Sequence, residues 1–189
     1  MPSRSLQPWL TSQRAQLDEV LAGRPAVGRT GLRARFAAEQ ANHFYAVLVS
    51  AHFQAFCRDL HSECVQWIAQ GVPDPLQSMV RGEFHHGRKL DRGNPNPKNI
   101  DEDFGRFGLS IWDKVKALDS RNERRRQLLG QLNQWRNAIV HQDFTKLGRR
   151  RKLRLQDVSG WRKACDELAR AFDEVTGARL GELLGSRPW

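Results

Sequence analysis

Apolar residues recur every three or four positions along most of this 189-residue chain, and no stretch alternates with the period of two that a strand requires. The spacing predicts a first helix over 8–22, striped by Trp9, Leu10, Leu17, Val20 and Leu21 and ended by Gly23 and Pro25. A second pattern runs from Leu32 to Gln70 without Pro or Gly, through Phe44, Val47, Leu48, Ala51, Ala55, Phe56, Leu60, Cys64, Trp67 and Ile68. It is longer than an ordinary helix, so a break is expected near Ala38–Asn42. Gly71, Pro73 and Pro75 stop it. The next stretch, RGEFHHGRKLDRGNPNPKN after Val80, predicts a long surface loop as far as Asn99. Short helices follow near 100–107 and 112–118. Ser120, with Glu123 three residues on, has the form of a capping box and opens a helix over 121–141. A final amphipathic helix starts near Asp157 and passes through Leu168, Phe172 and Val175. The chain reads as an all-α up-and-down bundle. It divides into an N-terminal helix and linker (1–30), a helical domain (31–180) and a C-terminal tail (181–189).

One helix departs from what packing asks for. In LLGQLNQWRNAIVHQDF, Leu128 to Phe144, the residues Leu128, Leu132, Trp135, Ala138 and Ile139 share one face, within about 60° of the Trp135 direction. Asn137 and His141, four apart, fall on the opposite face together with Asn133. Arg136 lies beside the stripe and flanks the core, where a guanidinium needs a carboxylate, a phosphate or a partner surface. Arg136 and His141 do not meet on an ideal helix. They converge if the helix ends near His141, or if two copies of the helix face each other and build one composite cleft. Spacing alone is a weak signal, because Arg81 and His86 form a second such pair in the expected loop.

Charge sharpens the picture. Thirty-one Lys and Arg against 21 Asp and Glu leave a net charge of +10, a balance that suits polyanionic partners such as RNA or DNA. Arg149, Arg150, Arg151, Lys152 and Arg154 cluster just after the motif helix, where they either track a nucleic-acid backbone or form a solvated linker. The cysteines, Cys57, Cys64 and Cys165, are odd in number and lack metal spacing, which fits reduced thiols in a cytoplasmic protein. No apolar run approaches the ~20 residues of a membrane span, and the N-terminus has no apolar signal core. His85 and His86, with Glu83 and Asp91, are the only His-rich cluster, and flanking glycines make them a solvated pair rather than metal ligands. No metal or cofactor site is expected.

The stretch QLNQWRNAIVHQDF resembles the signature of HEPN domains, an Arg followed after four to six residues by a His, with Asn commonly next to the Arg. Other segments resemble the RiboL-PSP branch of that superfamily: HFYAVLVSAHFQAFCRDL its long early helix, NPNPKNIDEDFGRFGLSIW the segment before the motif helix, and LRLQDVSGWRKACDELARAFDEV the closing helix. Together they cover roughly 44–175. Where members of the branch often carry Phe-Glu-x-Phe in the early helix, this chain has Phe53, Gln54, Ala55 and Phe56, so Gln54 keeps hydrogen bonding but not charge. The resemblance implies a homodimeric, metal-independent endoribonuclease in which Arg136, Asn137 and His141 are catalytic and Gln54 and Asn133 supporting. It further implies RNA as substrate, a toxin or antiphage setting, and an antitoxin or regulatory protein as partner. An inactive HEPN domain that binds RNA or nucleotide, and a purely structural bundle, are the alternatives.

Overall fold

A computed structural model describes residues 1–23, 31–148 and 152–189. The described residues form α1 (Leu6–Leu10), α2 (Ser12–Ala22), α3 (Leu32–Gln70), α4 (Asp74–His85), α5 (Lys89–Arg92), α6 (Pro97–Gly105), α7 (Ile111–Leu118), α8 (Asn122–His141) and α9 (Leu155–Leu184). A short 3-10 turn, Thr145–Leu147, follows α8. No strand occurs among the described residues. None of these helices is long and apolar enough to cross a membrane.

Three long helices make the core. Phe53, Phe56 and Leu60 of α3, Leu129 and Leu132 of α8, and Leu168 and Phe172 of α9 are fully buried against one another. Each such side chain contributes roughly 1.5–3 kcal/mol by leaving water. Phe172 gathers the aromatic centre, with Phe53 at 6.0 Å and Trp112 edge-on at 5.3 Å. The N-terminal helices share this core: Trp9 meets Phe53 edge-on at 5.6 Å, and its indole donates to Asp166. The chain end returns to α9, where Trp189 donates to the Asp173 carbonyl and Arg187 pairs with Glu174. Gly177 permits that approach, since a Cβ there would lie 2.8 Å from the Trp189 indole nitrogen.

Three sequence expectations need correction. First, α3 runs unbroken for 39 residues, about 58 Å at the helical rise. Asn42, where a break was expected, is buried and donates to Leu153 O across the bundle, so its side chain does not compete for its own backbone. Second, the expected long loop is largely helix. Tertiary contacts hold α4: Phe84 stacks on Phe107 at 5.1 Å, and Arg106 donates to the Glu83 and Phe84 carbonyls at its C-terminal end. Just beyond, Asp103 accepts the backbone N–H groups of Lys89 and Leu90, which starts α5. His85, expected in solvent, packs 6.1 Å from the buried ring of His61. Third, α8 starts without the Ser120–Glu123 box. Asp119 accepts the Arg121 N–H and binds the Arg121 and Arg125 guanidinium groups instead.

Candidate functional site

The end of α8 places the candidate residues. Gln142 is the one described non-glycine residue at positive φ, 53°. Its N–H bonds Ile139 O, and the next N–H, of Asp143, reaches back to Ala138 O at 3.0 Å. This crossed pair closes the helix in a left-handed cap. Gln142 adds a side-chain bond, Nε2 to Ile139 O at 2.6 Å. The turn makes His141 the last helical residue and swings Asp143 and Lys146 round beside it. A cleft of about 340 Å³ results, lined by Gln134, Asn137, Ala138, His141, Asp143 and Lys146.

Arg136 reaches this cleft through its neighbour. Arg136 is half-buried as a residue, and its Nη1 donates to Asn137 Oδ1 at 3.2 Å in an exposed hydrogen bond. The same Oδ1 accepts from Asn94 Nδ2 at 3.0 Å. With its carbonyl oxygen taken twice, Asn137 has its Nδ2 group left to donate to a ligand. Asn94 is itself held: Asn96 Nδ2 donates to its Oδ1, and Asn99 Nδ2 to its carbonyl. Gly93 lets this knot form, because a Cβ there would lie 2.7 Å from Asn99 Nδ2. Asp143 supplies a carboxylate on the His141 side. The Thr145 hydroxyl and N–H both donate to it and hold its pKa below the usual carboxylate range, and the charges of Lys146 and His141 act in the same direction.

The expected site residues fall into three groups. Asn137 and His141 are exposed and share the cleft, with Arg136 tied to Asn137 at its edge. Asn133, which the helical wheel set on the same open face, is buried instead. Its Nδ2 donates to Pro95 O and Leu129 O, and Ser50 donates weakly to its Oδ1, because the 93–96 segment lies across this part of α8. Gln54 is one step further out, its Nε2 donating to Leu90 O and Gly93 O at 2.7 Å each. Both residues therefore hold the segment that presents Asn94. Lys152 and Arg154 are exposed on either side of buried Leu153, whose carbonyl is anchored by Asn42 of α3. Arg149, Arg150 and Arg151 lie outside the described residues.

Sequence reading missed Asn94, Asp143 and Lys146. Asn94 carries no local signal, since it belongs to a segment 43 residues away from Asn137. Asp143 was legible in part, as the first carboxylate after His141.

The described residues form an all-α helical bundle whose candidate polar residues gather at the end of one central helix. The RiboL-PSP-HEPN family model matches residues 36–177, three quarters of the chain, and the protein belongs to that family. Membership associates it with a nuclease or RNA-related role. No curated protein and no solved structure matches the chain.

Proposed function

We propose that the protein is a metal-independent endoribonuclease acting as a homodimer. The observation that carries this reading is the cleft at the end of α8, where His141, the Nδ2 of Asn137 and Lys146 surround one space and Arg136 is tethered at its edge. RNA brings its own nucleophile, the 2′-hydroxyl. Cleavage then needs a group to take that proton, donors for the anionic phosphorane, and an acid for the 5′-oxygen. His141 serves the proton transfers, steps typically worth about 10²–10⁴-fold. Arg136 and Asn137 hold the non-bridging phosphate oxygens. The products are a 2′,3′-cyclic phosphate and a 5′-hydroxyl. Asp143, close enough to interact with the His141 charge, supplies the carboxylate that Gln54 does not.

A second copy supports the chemistry by bringing a second Arg136–His141 pair to the same cleft. Two exposed apolar side chains suit such an interface: Val140, next to His141 on α8, is 48% exposed, and Phe44, next to His43 on α3, is 58% exposed.

The test is incubation of the wild type, Arg136→Ala and His141→Ala with total RNA in EDTA. The wild type cuts to cyclic-phosphate ends, and each variant loses at least about a hundredfold in rate while keeping the wild-type Tm. Wild-type protein that binds RNA without cutting it would instead mark a binding module.

A further inference from the structure

Next to the cleft lies a groove that RNA cleavage by itself does not require. It has a volume of about 450 Å³ and is lined by Glu39, His43, Gln142, Asp143, Phe144 and Thr145. That volume falls within the ~300–1,000 Å³ of small-ligand pockets. Asp143 lines both cavities, so the groove opens beside His141. Glu39 and His43 are one turn apart on α3 and share a face. Across from them, the left-handed turn at Gln142 delivers Phe144.

The groove's chemistry is unusual for so basic a protein. The ring of Phe144 stacks on His43 at 5.8 Å and 27°, which fixes one of its faces and leaves the partly exposed ring available for stacking. His43 also packs against Trp135 at 6.0 Å, and its buried Nε2 has no hydrogen-bond partner among the described residues. Burial lowers the imidazole pKa below its ordinary 6.5, against the opposing charge of Glu39. Glu39 forms no ion pair with any described residue, although the chain carries 31 Lys and Arg. A partly buried carboxylate beside an aromatic platform, unpaired among the described residues, repels a phosphate but accepts hydrogen bonds from a base. Gln142, whose Nε2 is engaged with Ile139 O, has its carbonyl oxygen left as a further acceptor.

We infer that this groove is a nucleobase subsite selective for guanine, with Phe144 as the stacking platform and Glu39 as the specificity-determining acceptor. Guanine alone among the four RNA bases offers two adjacent donors, N1–H and the 2-amino group, on its Watson–Crick edge, and a carboxylate accepts both. Adenine and cytosine present one amino group beside a ring acceptor, which a carboxylate repels. Uracil has a single N–H between two carbonyls. Stacking on aromatic side chains with hydrogen bonding to the Watson–Crick edge is how unpaired RNA bases are read in general. Two cations are held near this part of α3: Asn42, adjacent to His43, anchors Leu153, whose neighbours Lys152 and Arg154 are exposed.

The inference rests on the RNA-cleaving reading for its setting, but its test does not depend on turnover. Binding of the 3′- and 5′-monophosphates of the four nucleosides is measured by calorimetry on the wild type, Glu39→Gln and Phe144→Ala. The wild type prefers a guanosine monophosphate by at least about tenfold, within the range one bidentate pair discriminates. Glu39→Gln brings the four nucleotides within about twofold of one another, and Phe144→Ala weakens all of them. Equal wild-type affinities, no binding at all, or a guanine preference that survives Glu39→Gln would each overturn the subsite. Cleavage-site mapping on a mixed-sequence RNA separates the two readings. Guanine-selective binding without cutting leaves the subsite standing and sinks the nuclease, whereas cutting with no base preference does the reverse.

Discussion

At the scale of single residues, the protein uses its polar side chains in two opposite ways. Asn137 and His141 are open to solvent, whereas His61 is sealed in the core between Phe104, Phe107 and His85. Burial, then the charges of Arg88, His85 and Arg106, push its pKa from an ordinary 6.5 down to about 3. The folded protein thus refuses a proton that the unfolded chain accepts. The stability this represents is complete above about pH 6.5 and is lost as pH falls toward 3. Between pH 7 and pH 5 the loss is about 2 kcal/mol from this residue. His43, His52 and His85, all shifted downward mainly by burial, add to it with the same sign. Thermal melts at pH 7, 6 and 5 should show Tm falling, with a shallower fall in His61→Phe. An identical slope in the variant would assign the acid sensitivity elsewhere.

At the scale of elements, the site depends on how α8 is covered and how it ends. The Asn133 side chain straps the 93–96 segment to α8 through Pro95 O, and Gln54 holds the turn just before it. Asn133→Ala leaves the Pro95 carbonyl without its donor, at a cost of about 1–3 kcal/mol. Tm falls by about 2–4 °C for each kcal/mol in a chain of this size. Because Asn94 is thereby loosened, cleavage should fall further than in a surface variant of equal Tm. A stability loss with unchanged turnover per folded molecule would show that Asn94 does not position Asn137. The wheel could assign Trp135 to the core and Arg136 to its flank, because those follow from period alone. It misassigned Asn133, because only the packed chain shows which face a distant segment covers.

At the scale of the whole molecule, the exposed apolar residues and the basic run make separate predictions. If the proposed homodimer forms through this face, Phe44→Glu should give a monomer in light scattering and abolish the proposed cleavage while leaving Tm within about 1 °C, since the residue is mostly exposed. A wild-type monomer at micromolar concentration would remove the composite cleft. Lys152→Ala with Arg154→Ala should lower the slope of log affinity against log salt for single-stranded RNA by roughly 1.4, about 0.7 for each phosphate that is no longer neutralised. An unchanged slope would make those residues a solvated linker.

What the sequence determined by itself was everything carried by local period and composition. It established the all-helical class, the helices α8 and α9, the core stripe of Leu132, Trp135 and Ala138, and the polar trio Arg136, Asn137 and His141, but not the unbroken run of α3, where a break was expected near Ala38–Asn42. These follow from interactions within a few residues, which a linear string records. The tertiary structure alone decided that α4 is a helix, since Arg106 and Phe107 hold its end. It alone joined Asn94 to Asn137, and His43 to Phe144 across 101 positions of chain. Such pairings depend on which segments the packed core brings together, and no local pattern of side chains encodes that.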